Sequence, residues 1–140
     1  MAYSGYLIKI GNYTIPLSKI KADSYYAYDN MQDYDPWTDA TGHLHRDAVK
    51  LKALKVEFET RNMMDNTEFS DLISSIKAQF ISGKEHAREC EITAYIPEDD
   101  AYVTQRGYMA DFKPQMYLAD ANQIIYDSCR LSFIGGVATN

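Results

Sequence analysis

The residues with the strongest claim to chemistry crowd into one stretch, DPWTDATGHLHRDAV, residues 35–49, where two histidines one residue apart sit among three aspartates after the only tryptophan. In an extended chain His43, His45 and Asp47 face the same way, because alternate residues of a strand share a side, and two imidazoles with a carboxylate can hold zinc or iron. A closed site needs more ligands. Asp39 is the nearest addition, and the third histidine, His86, stands far along the chain with nothing in the sequence to bring it back. The plainer reading is a polar entrance to a strand, with Leu44 turned inward. Asp33, Asp35 and Asp39 could offer oxygens to calcium, but their spacing departs from the D-x-[DN]-x-[DN]-G loop, whose glycine stands at a fixed position. No metal or other cofactor is assigned.

Other catalytic patterns are missing. The chain has no G-x-S-x-G elbow, phosphate-cradling glycine loop, H-E-x-x-H helix or C-x-x-C pair. Cys90 and Cys129 fall in alternating apolar runs, where a thiol is expected to be buried, whereas a reactive thiolate needs an electropositive, partly exposed setting. The expectation is a protein that is not an enzyme.

The elements that would position these residues are mostly strands. The chain has 140 residues, enough for a single domain over 1–140 that buries roughly two-thirds of its unfolded surface. A net charge of -6 argues against binding of nucleic acid, which draws its affinity from lysine and arginine. The first residues lack the basic and long apolar regions of a secretory leader, no run is long enough to span a bilayer, and two distant cysteines make no disulfide framework, so a soluble chain in a reducing compartment is expected. Gly11-Asn12 splits two apolar runs and predicts a hairpin with strands near 5–10 and 13–24. Residues 25–47 carry turn formers and no period, and read as a long loop. In LHRDAVKLKALKVEFET the phase of Val49, Leu51 and Ala53 gives way to that of Leu54, Val56 and Phe58, which predicts a β-bulge near 53–54.

One helix is expected. Phe69, Leu72, Ile73, Ile76, Phe80 and Ile81 make a single apolar stripe, Asp65 and Glu68 resemble a capping box, and Gly83 suits a left-handed end, which places the helix at about 67–82. Beyond it Cys90, Ile92, Ala94 and Ile96 alternate inward, and runs at 101–113 and 123–134 flank the turn-like LADANQ. The fold class is α+β, a mainly antiparallel sheet or sandwich with one flanking amphipathic helix.

The 25–47 segment is rich in the residues that interfaces concentrate. Tyr25, Tyr26, Tyr28, Met31, Tyr34 and Trp37 lie in it, and a loop of about 18 residues without structure of its own is usually functional or disordered. Disordered chains are poor in aromatics, so a partner surface is expected, with a second copy of the chain as the simplest partner.

The opening MAYSGYLIKIGNYTIPLSKIKADSY, the DATGHLHR segment with its G-x-L-x-R core and KALKVEFET resemble a family of short uncharacterised proteins of tailed bacteriophages and prophages, found among tail genes. The resemblance covers about the first 60 residues, and the remainder by strand–helix–strand order. It brings no catalytic residues. It implies a structural virion component made in the host cytoplasm, in the tail or at its tip, similar in plan to tail-tube and tube-like baseplate proteins. In those a β-sandwich with one flanking helix and a long early loop forms stacked rings, with the loop reaching the adjoining ring. The implied partners are further copies in a ring, hexameric or similar, and other tail proteins. DNA would pass through without being bound, which suits an acidic chain. The interface residues are then Tyr25, Tyr26, Tyr28, Met31, Tyr34, Trp37, Leu44 and Arg46, with Gly42 shaping the loop. Two alternatives use the same segment: a carbohydrate-binding module that stacks sugars on its aromatics, and a small metal-dependent enzyme built on His43, His45 and Asp47.

Overall fold

The computed structural model describes residues 3–30, 36–48, 50 and 52–139; the expectations placed on Met31, Asp33, Tyr34, Asp35, Val49 and Leu51 lie outside them. Along the chain run β1 (Ile8–Ile10), β2 (Tyr13–Thr14), β3 (Tyr26–Asn30), β4 (Trp37–Thr38), β5 (Leu44–His45), β6 (Ala53–Glu59) and β7 (Met64–Asp65). After α1 (Asn66–Lys77) come β8 (Glu89–Ile96), β9 (Ala101–Met109), β10 (Met116–Ala119), β11 (Ile124–Tyr126) and β12 (Arg130–Ile134).

Strict alternation drives the main sheet. Cys90, Ile92, Ala94 and Ile96 of β8 are fully buried, as are Leu54, Val56 and Phe58 of β6 and Leu131 and Phe133 of β12, so each strand gives one whole face to the core. Seven strands join in the order β2-β1-β8-β9-β12-β6-β3, every pair antiparallel. Helix α1 closes that core with Phe69, Leu72, Ile73 and Ile76, each burial contributing about 1.5–3 kcal/mol. A small sheet, β10-β11-β7, adds the buried Met64 and the half-buried Tyr126, whose ring lies 4.9 Å from that of Phe69. The α+β expectation with one helix holds.

Four local expectations are corrected. The helix ends at Lys77 and not near 82, because Ile81 N–H donates to the Glu89 carbonyl at 2.8 Å and the chain is drawn off toward β8. Phe80 and Ile81 stay half-buried, so the stripe reports burial beyond the last helical turn, and Gly83, at φ +84, turns the connection instead of capping the helix. The second early strand stops at Thr14: Pro16 has no N–H for a ladder, and Leu17–Lys19 form a 3-10 turn. No bulge interrupts β6, which keeps one register from Ala53 to Glu57 against β3 and one from Lys55 to Glu59 against β12; a register shift falls instead between Met116 and Leu118.

The fourth correction bears on function. The expected loop at 25–47 is in part regular structure. Tyr26–Asn30 form the edge strand of the main sheet, paired with β6 from Tyr26↔Glu57 to Asn30↔Ala53, and β4 with β5 forms a separate ribbon. In β3 the buried alternate is only Ala27, while the tyrosines Tyr26 and Tyr28 point outward, so the usual apolar-inward signature is inverted.

Candidate assembly surface

Asp39 organises the ribbon that carries the candidate residues. Its carboxylate accepts from the N–H groups of Thr41 at 3.0 Å and His43 at 3.1 Å, and its other oxygen lies 2.8 Å from Nε2 of His45. The His45 bond first, then that of the Thr41 hydroxyl, hold the Asp39 carboxyl down at about 2. Gly42, at φ +91, sits where the loop needs a left-handed residue, and its N–H donates to the Asp39 carbonyl. The loop brings Trp37 directly opposite His45, and the two rings stack with centres 4.0 Å apart and planes 7° from parallel.

This ribbon does not join the core. Trp37 and Leu44 are each 57% exposed, and the remaining strand residues, Thr38 and His45, are exposed as well. Leu44 therefore does not turn inward as its setting suggested. Two strands alone are marginally stable in water, and this ribbon shows a tryptophan and a leucine to solvent.

The histidines are otherwise engaged. His45 is held by Asp39 and Trp37, and Nδ1 of His43 lies 3.0 Å from the Thr41 hydroxyl. Among the described residues no group of three or more His, Cys, Asp or Glu is arranged to hold a metal ion. Both cysteines are buried and free, and burial pushes the Cys90 thiol up to about 12.

The other candidates divide. Tyr25 is half-buried, and its hydroxyl donates to the carbonyls of Tyr95 at 2.7 Å and Leu7 at 3.1 Å; burial raises its pKa. Tyr26 and Tyr28 stand 45% and 41% exposed on the open face, their rings stacked 6.3 Å apart. There the Tyr26 hydroxyl donates to Glu57, which also accepts from Arg130 at 2.9 Å and Ser132 at 3.1 Å. The Tyr26 bond, ahead of those from Ser132 and Arg130, lowers the Glu57 pKa. Arg46 follows the ribbon and is exposed.

The pairing registers place Lys9, Lys55, Arg106 and Arg130 on this open face with Glu57, Glu59, Glu89 and Glu91, four cations against four carboxylates. The chain's acidic excess lies elsewhere.

The sequence reading missed a second surface. All four residues of β10 are exposed, with Met116 at 55%, Tyr117 at 59% and Leu118 at 54%, and β10 is the outer strand of its small sheet. The signal was present as consecutive apolar residues without alternation, MYLA, ahead of the Asp120–Gln123 turn. Among the described residues no helix is long and apolar enough to cross a membrane.

A family model described as a family of unknown function, DUF6711, matches residues 1–136. No curated protein matches the sequence. Among solved structures, one titled as the tail of an empty GTA particle, computed with helical refinement in C6 symmetry, matches 98% of this chain and 96% of its own, with 14% identity and a TM-score of 0.50. A chain of the sheath–tube complex of an extracellular contractile injection system, PVC, in its extended state, aligns over 98% of this chain and 88% of its own, at 14% identity and a TM-score of 0.41. The first of these likenesses shows the fold.

Proposed function

The chain belongs to the DUF6711 family, and from the fold it shares with a chain of a GTA tail we propose that it is a single-domain structural component of a phage-type tail. It works by self-association and contact with other tail proteins, and not by catalysis. The observation that carries this reading is the β4–β5 ribbon, held in shape by Asp39 yet left with Trp37 and Leu44 uncovered. An apolar ribbon kept in shape outside the core supports a partner surface there, because a lone hairpin is marginal in water and buried tryptophans dominate interface energetics.

In this reading Trp37, Leu44 and Arg46 meet the neighbouring subunit, with Met31 and Tyr34 from the adjoining stretch, and Tyr26 and Tyr28 border the contact at the sheet edge. Tyr25 braces that edge from inside. The structural relative was refined with C6 symmetry, and a six-membered ring in a virion tail is the corresponding arrangement here. DNA is not bound: the open face matches its charges, and a channel lined by it gives phosphate no net attraction.

The test is the native mass of the purified protein by light scattering over a concentration series, with metal content read on the same sample. Rings, tubes or a mass that climbs with concentration support the reading. A strict monomer at every concentration, or one loaded with metal, overturns it.

A further inference from the structure

Two apolar hairpins leave the main sheet at opposite ends of one strand. The excursion that holds β4 and β5 departs after Asn30, which pairs with Ala53, and returns at Ala53, the first residue of β6. At the far end Glu59 pairs with Arg130; β7 begins a few residues beyond the one, and β11 ends a few residues before the other. The seven residues between set the points of departure of these two poles roughly 20 Å apart. Neither hairpin covers the apolar residues of the other in the folded chain.

Both poles need the same kind of cover. One shows Trp37 and Leu44, the other Met116, Tyr117 and Leu118, every one of them more than half exposed. Among the described residues each also ends in an open strand edge, since β10 is paired there on its β11 side alone and the ribbon there is two strands wide. We infer that these hairpins are each other's partners in a head-to-tail contact between copies, the β4–β5 ribbon of one seated on the β10–β11 hairpin of the next. The inference rests on the self-assembly proposed above and names its two faces.

The occupant is a second copy for two reasons. A heterologous contact joins two different patches and repeats them, so every copy in a stack has both poles covered, whereas a two-fold contact of one pole with its own twin would leave the other pole of each copy bare. The areas also fit. Five large side chains, each more than half exposed, present on the order of 600 Å² of apolar surface, and at the usual ~57% apolar share the contact comes to about 1,000 Å², the lower bound for a biological interface.

The test is complementation in the full-length chain. Trp37→Lys spoils one pole and leaves the other intact, and Tyr117→Lys does the reverse. Under conditions in which the wild type associates, each variant alone is expected to weaken self-association about thirtyfold and run as a monomer. Their equimolar mixture is expected to give a dimer and nothing larger, because one good pole remains on each partner. Far-UV circular dichroism checks folding, and Leu44→Lys with Leu118→Lys replaces the pair if either fails. If a variant dimerises alone, or the mixture stays monomeric while the wild type associates, the pairing of poles is wrong and the assembly reading stands. If the wild type never associates, both fall.

Discussion

The Trp37 indole lies flat against the His45 imidazole across the ribbon, ring centres 4.0 Å apart, with its other side open to solvent. None of the buried core depends on that ring. Trp37→Ala is therefore expected to leave the thermal midpoint of the monomer within about 2 °C of the wild type, as exposed substitutions do. Association should weaken tenfold or more, as at an interface hot spot, in the concentration series by light scattering. A variant that assembles at wild-type concentrations would remove the ribbon from the interface.

Asp39 gives the ribbon an acid limit. Its carboxyl is depressed to about 2 from an ordinary 3.8 by His45, Thr41 and the loop N–H groups, so only the ionised form makes all these bonds. A depressed carboxyl contributes in full above the ordinary value, and that contribution is lost as pH falls through the folded-state value. The chain's only tryptophan is Trp37, so its emission reports the ribbon directly. The wild type is expected to show an emission change between pH 4 and 2, while Asp39→Asn should show a shifted, flat emission over that range.

Both thiols should be silent in the native protein. Burial raises Cys129 as well as Cys90, whose value of about 12 leaves on the order of one thiolate in ten thousand at pH 8. Ellman's reagent at pH 8 is expected to label neither cysteine within minutes and both once urea unfolds the chain. Rapid labelling of the folded protein would mean that the strand interior opens readily.

Legibility followed the strength of the pattern. The helix start was readable because Asp65 does cap it, accepting from Glu68 N–H at 2.7 Å, and the inward phase of β8 because every alternate residue is apolar. The half-capping box was not: Glu68 turns away to Lys19 and Arg61, a long-range choice that spacing cannot show. β3 was hidden because its large residues face outward and only Ala27 faces in. The candidate surface was half legible. Aromatic content flagged Trp37, but the hairpin at Met116–Leu118 broke the period-2 rule by exposing both faces, and only its unpaired edge in three dimensions marks it as a surface.

Gly107 decides whether β9 can reach both of its neighbours. It pairs with Cys90 of β8, while the next residue, Tyr108, pairs with Ile134 of β12. A Cβ at 107 would stand 2.1 Å from the Ile134 carbonyl oxygen, 2.6 Å from Cδ1 of Ile92 and 2.8 Å from the Gly135 Cα. Two of those atoms are backbone and cannot swing aside, so relief requires β12 to move away from β9 at the centre of the sheet. Gly107→Ala is expected to cost about 3 kcal/mol or more, at the upper end for overpacking, in the urea midpoint. Gly83→Ala is the control: nothing lies within 4 Å of a Cβ there, and its cost comes only from φ +84, about 1 kcal/mol. If the two variants unfold at the same urea concentration, close strand approach at Gly107 is not what holds this sheet together.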